Sequence, residues 1–172
     1  MSLVRATLPL VLLAALVPAP AQAAASPLLG SWSFDAAKSD DVEKAIEKAV
    51  EKVNFVIRGF AHGRLKNTNK PYGTVVIAKK GDMTSIKTDD RAPIEAPSAG
   101  TAVKWTREDG QKYDVTLAWK GDTRLEETFA NDEGKRVNVF AMNPDGKTMT
   151  MSVTVTSGKL PVPLTYSLAY KH

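Results

Sequence analysis

The sequence of 172 residues has no cysteine and only two histidines, His62 and the final residue, His172. Without cysteine there is no disulfide framework and no lipid-modified cysteine to tether the chain. With a single internal histidine, a zinc or other transition-metal site lacks ligands. A Ser–His–Asp triad would have to use His62, and no nucleophile-elbow motif accompanies it. His62 is expected instead to be a polar residue on a helix. No glycine pattern for cradling phosphates or a dinucleotide is present. The acidic pairs Glu126–Glu127 and Asp89–Asp90 are adjacent in sequence. Neighbours on a strand point to opposite faces, so neither makes an acid/base pair. These absences point away from an enzyme, and no catalytic residue, metal or cofactor is expected.

Long apolar runs are also scarce. The longest lies at the N-terminus, where Leu8–Val17 follows Arg5 and precedes Ala21 and Ala23. A short basic region, an apolar stretch and a small-x-small site make up a secretory signal peptide, so residues 1–23 are expected to be cleaved. About ten apolar residues are too few to span a bilayer, which takes roughly 20. The remaining 24–172 are expected to form one domain, exported to a periplasm or secreted. Of the 23 basic residues the leader removes only Arg5, and no acid, leaving 22 against 19 acids. That small, mixed charge does not imply nucleic acid as a partner. The oligomeric state is not legible.

The rest of the chain divides by period. Residues 26–35 read as an opening strand with Trp32 and Phe34 on one face. Asp40 and Glu43 then form an Asp-x-x-Glu cap, and Val42, Ala45, Ile46, Ala49, Val50, Val53 and Ile57 make an apolar stripe. This predicts one long helix over 40–66, with a possible break near Gly59. From Tyr72 the period becomes two, giving strands over 73–79, 82–88, 101–107, 112–119, 122–130, 135–142, 147–155 and 163–170. The segment 89–100, with Pro93 and Pro97, reads as irregular. Turn pairs such as Asp109–Gly110 and Lys120–Gly121 mark consecutive hairpins. The expected fold is mainly β, an antiparallel meander barrel of 8–9 strands, because closure buries the apolar face and removes exposed edges.

Gly30–Ser31–Trp32 at the start of the first strand matches the Gly-x-Trp of lipocalins. With a helical segment after the first strand and a meander behind it, the chain resembles the calycin group of lipocalins and fatty-acid-binding proteins. The resemblance implies that the helix is a lid and that 163–170 pairs with the first strand. It also implies a small hydrophobic ligand. Trp105, Tyr113, Trp119, Phe129, Met149, Met151 and Tyr166 lie on interior faces and would either fill the barrel or line a pocket. Arg58, His62, Arg64, Lys66 and Lys70 cluster near the end of the helix. Arg58 and Arg64 are candidates to hold an acidic head group, since guanidinium binds carboxylate bidentately. The candidate ligand-binding residues are therefore Arg58, Arg64, Trp105, Tyr113, Trp119, Phe129, Met151 and Tyr166. Glu127 shares a face with Leu125 and Phe129. If it points inward it needs a cationic partner, for which an inward arginine is the natural candidate. Two functions stay open: a carrier with a cavity, or a filled barrel acting through its outer surface.

Overall fold

The computed structural model describes residues 26–172; the expected leader over 1–23 lies outside the described residues. The first strand, β1 (Gly30–Asp35), is followed by a 3-10 turn (Ala36–Lys38) and two helices, α1 (Val42–Val50) and α2 (Phe55–Thr68). Nine strands follow: β2 (Thr74–Lys80), β3 (Met83–Thr88), β4 (Ile94–Pro97), β5 (Val103–Thr106), β6 (Lys112–Trp119), β7 (Arg124–Asn131), β8 (Gly134–Met142), β9 (Thr148–Ser157) and β10 (Leu164–Lys171). All pair antiparallel in one sheet of order β4-β3-β2-β1-β10-β9-β8-β7-β6-β5. β10 pairs with β1, through Phe34 opposite Tyr170, as the resemblance implies.

Ten strands replace the expected eight or nine. The extra one is β4, inside the segment read as irregular. Pro97 sits at its end, where a missing N–H costs the ladder little. The single long helix is also corrected. It breaks at 51–54, before Gly59, because the Asn54 side chain accepts from the Val56 N–H (3.0 Å) and starts a new helix. Ile57, assigned to the apolar stripe, is exposed in α2. The cap of α1 is Asp41, which accepts from Glu43 and Lys44. Asp40 instead accepts from the Ser167 N–H on β10 (2.7 Å).

The sheet curls until its ends meet. Ala99, just past β4, bridges to Ala118 of β6, and the Trp119 N–H donates to the Ser98 carbonyl (3.2 Å). Trp119 Nε1 then reaches across the seam to Thr84 Oγ1 on β3 (2.8 Å), which also bonds Ser98 Oγ (2.7 Å). The result is a nearly closed barrel. Gly100 carries the chain out of the seam at φ +88°, and a Cβ there would press on Ala118 Cβ at 3.2 Å.

Register sorts the interior into rows. Trp119, Leu125, Phe140, Met151 and Leu168 are successive cross-strand partners from β6 to β10. The next row is Leu117, Glu127, Asn138, Val153 and Tyr166, and above it lie Val115, Phe129, Arg136, Val155 and Leu164. The lower part is solid, with Trp32, Ile77, Ile86, Phe140, Met149 and Met151 fully buried. Leu28 lies under it, accepting from Trp32 Nε1 (3.0 Å). The helices cover the other end: α1 buries Ile46, Ala49 and Val50, whereas α2 buries only Leu65.

Replacing Thr84 with Val keeps the shape of the side chain but removes the acceptor of Trp119 and the partner of Ser98. Chemical denaturation is expected to show a loss of about 1–3 kcal/mol, the cost of stranding a largely buried polar group.

Candidate functional site

Between α2 and the upper rim of the barrel lies a cavity of about 680 Å³. One wall is aromatic. Trp105, Tyr113 and Phe129 meet with ring centroids 5.4 to 6.2 Å apart, two of the three pairs edge-on. Strand pairing sets Trp105 opposite Tyr113, and alternation along β6 and β7 brings Phe129 to the same face. Val155 and Leu160 continue the apolar wall, and Ile57, Phe60, Ala61 and Leu65 of α2 face it.

The most extensively hydrogen-bonded side chain in the lining is Arg136. Its Nε donates to Asn138 Oδ1 (2.9 Å), and Nη1 donates to the Thr68 carbonyl (3.1 Å) and Asn69 Oδ1 (2.9 Å). Nη2 donates to the Tyr166 hydroxyl (3.3 Å), which donates in turn to Asn69 Oδ1 (3.2 Å). Asn69 is buried and donates through Nδ2 to the Leu65 carbonyl (2.9 Å). One guanidinium thus ties the C-terminal end of α2 to strands β8 and β10.

Directly below, Asn138 Nδ2 donates to Glu127 Oε2 (2.7 Å). Glu127 is 3 % exposed and Asn138 fully buried. Burial raises the Glu127 carboxyl to about 7, against the pull of the Asn138 hydrogen bond and the Arg136 charge. Glu127 therefore does point inward. Its immediate partner is an amide, and the arginine stands one hydrogen bond beyond.

The candidate residues separate in space. Arg64, Trp105, Tyr113 and Phe129 line the cavity. Tyr166 lies one row down with its hydroxyl on Arg136. Trp119 and Met151 belong to the lowest of the three rows, well beneath the cavity. Arg58 turns back to donate to the Val53 carbonyl (3.2 and 3.0 Å) and lines no part of the cavity. The basic cluster does not converge on one anion site. His62 and Lys66 both reach Glu43 of α1 (3.2 and 3.1 Å). Arg64 crosses the cavity mouth to Glu133 (2.6 Å) and holds that carboxyl below its usual range. Ion pairs as exposed as these contribute little to stability.

Arg136, Asn138 and Asn69 were not among the candidates. In Lys135–Phe140 the valines at 137 and 139 look like the inward set, although Phe140 shares the face of Arg136 and Asn138. The signal lay in pairing: Glu127, flanked by Leu125 and Phe129, stands opposite Asn138.

No protein-family model matches this chain, and no curated protein sequence matches it. Solved structures do. The fatty acid transporter REP1-NXSQ is 23 % identical with a TM-score of 0.56, over 86 % of this chain and 97 % of that one. A fatty-acid-binding protein from the brain of Drosophila melanogaster is 17 % identical, TM-score 0.55, over 84 % and 99 %. The Schistosoma mansoni fatty-acid-binding protein, solved with arachidonic acid, is 21 % identical, TM-score 0.54, over 87 % and 98 %. The likeness is one of fold: the chain has the calycin fold of fatty-acid-binding proteins, a nearly closed antiparallel barrel with two helices between its first and second strands.

The buried carboxyl predicts a pH signature for the unliganded protein. A carboxyl raised from 4.5 to about 7 binds protons more tightly folded than unfolded. Its favourable contribution is complete below pH 4.5 and is lost as pH rises through 7. Between pH 5 and 8 the wild type is expected to lose about 2–3 kcal/mol that Glu127→Gln does not lose. Urea denaturation of both proteins at the two pH values checks the difference.

Proposed function

We propose that this protein is an exported carrier for an amphipathic, fatty-acid-like carboxylate. The tail lies against Trp105, Tyr113, Phe129 and Val155, and the head group meets Arg136. The observation that carries this reading is a hydrogen-bonded guanidinium placed beside the aromatic and aliphatic wall of the cavity. A cavity of about 680 Å³ falls inside the range of small-molecule sites, roughly 300–1,000 Å³. A few fixed polar groups among apolar walls are what such sites use to orient a ligand. The structural neighbours include fatty-acid-binding proteins, and this supports lipid binding. Export rests on the leader expected from the sequence of residues 1–23. An aqueous compartment outside the cytoplasm is one where an insoluble tail needs a carrier.

The second reading, an interaction module acting through its outer surface, has one observation in its favour. At the start of α2, Phe55 and Phe60 are 82 % and 76 % exposed beside Val56 and Ile57. The cavity favours the first.

Native mass spectrometry of the protein purified from its own compartment separates the two. An adduct of lipid mass is expected; repeatedly empty protein that also ignores fluorescent fatty-acid probes sinks the carrier reading. Substitution then locates the head group. Arg136→Gln is expected to weaken binding of a fluorescent fatty acid about 10- to 100-fold, the worth of a charge-assisted hydrogen bond. Arg58→Ala is expected to change it less than about twofold, because its guanidinium is spent on Val53.

A further inference from the structure

Buried charge inside a barrel is costly unless it is balanced. In the upper interior rows the described residues place one cation, Arg136, and one acid, Glu127. The two do not touch as an ion pair. The amide of Asn138 stands between them, its oxygen on Arg136 Nε and its nitrogen on Glu127 Oε2. The relay has a direction, since both neighbours orient the same amide. Glu127 lies one row below the cavity and Arg136 forms part of the lining, so a ligand reaches the arginine and not the acid.

Consider an anionic head group arriving at Arg136. With Glu127 ionised, two negative charges would share one guanidinium, one of them on a carboxyl buried beside Leu117 and Val153. The other cations of the lining are engaged or exposed: Arg64 and Lys159 pair with Glu133, Arg91 with Glu108 and Arg107 with Asp109, while Lys70 and Lys135 are exposed. Across the row stand Leu117 of β6, Val153 of β9 and Tyr166 of β10; from above come Asn69 and the Tyr72 ring beside Arg136. Tyr166 is itself shifted upward by burial and stays neutral. The adjustment that restores balance at Arg136 without breaking one of those ion pairs is that the buried acid takes a proton.

We propose that Glu127 determines the charge that the cavity accepts: acting through Asn138, it binds a proton when an anion docks on Arg136. The site then takes an anionic amphiphile together with a proton, as a neutral pair. This rests on the carrier reading and deepens it, since it assigns the ligand class as singly charged anions. Its balance is simple: one anion enters, one proton enters, and no covalent bond changes. The carboxyl already sits near neutrality before any ligand arrives, so modest extra negative charge suffices to protonate it. Glu127 touches no ligand; it is a specificity-determining residue that acts at one remove.

The test uses dodecanesulfonate, whose head group stays ionised across the pH range, so every titration observed belongs to the protein. Isothermal titration at pH 8 in phosphate and in Tris, which differ in ionisation enthalpy, counts protons exchanged on binding. The wild type is expected to take up close to one proton per sulfonate and Glu127→Gln none. Wild-type affinity is expected to fall roughly tenfold from pH 6 to pH 8, whereas the variant stays flat. The wild-type proton count stands even where the variant folds poorly. Sulfonate binding without proton uptake, or with equal uptake in Glu127→Gln, overturns this proposal and leaves the carrier reading intact. Binding of neutral dodecanol but not of the sulfonate overturns it too. If neither amphiphile binds, the carrier reading itself fails.

Discussion

A meander of antiparallel strands leaves two free edges, and each edge is a row of unsatisfied N–H and C=O groups. Here the two ends of the sheet meet at one point, between the residues just past β4 and β6, the neighbour of the edge strand β5. Ala99 pairs with Ala118, and the Trp119 indole reaches over to Thr84. Everything inside the molecule depends on that meeting. Without closure, the apolar face of the sheet would need covering by helices, and α1 with α2 are too short to cover ten strands. With closure, alternation along each strand becomes a clean division between inside and outside, and the interior can be packed in rows.

Packing then grades from one end to the other. At the lower end aromatic and thioether side chains fill the space, and Leu28 lies beneath Trp32. Towards the helices the rows become polar, first Glu127 and Asn138, then Arg136 under the cavity. Polar groups at this depth are tolerated because each has a partner: no buried side-chain nitrogen or oxygen among the described residues lacks one. The same bonds hold α2, since Arg136 spans Thr68, Asn69, Asn138 and Tyr166. The guanidinium that lines the cavity therefore also fastens the C-terminal end of α2.

Much of the architecture was legible because it is periodic. Met149–Val155 and Leu164–Tyr170 alternate cleanly, and both are strands in the expected places. Two features broke local rules. Strand β4 carries Pro97 and sits among turn residues, so only its partner β3 makes it a strand. The break at Asn54 was hidden because Val53 and Ile57 continue the helical spacing, while the cap that interrupts them is a single side chain. The aromatic wall was readable in Trp105, Tyr113 and Phe129 for the same periodic reason. The basic cluster misled: cations close in sequence were distributed to Val53, Glu43 and Glu133, each wherever an acceptor lay nearest.

By itself, then, the sequence determined that the chain is a cysteine-free meander with a helical insertion after its first strand, because alternation and capping act over a few residues. Which polar residues share the interior was decided only by the tertiary structure. Arg136 and Asn138 lie among valines that look more suited to the inside, and register against β7 turns the polar pair inward. Asn69 arrives from a helix end some seventy residues away, and Tyr166 from the last strand. Local pattern carries no record of such meetings, since they follow from how ten strands close upon one another.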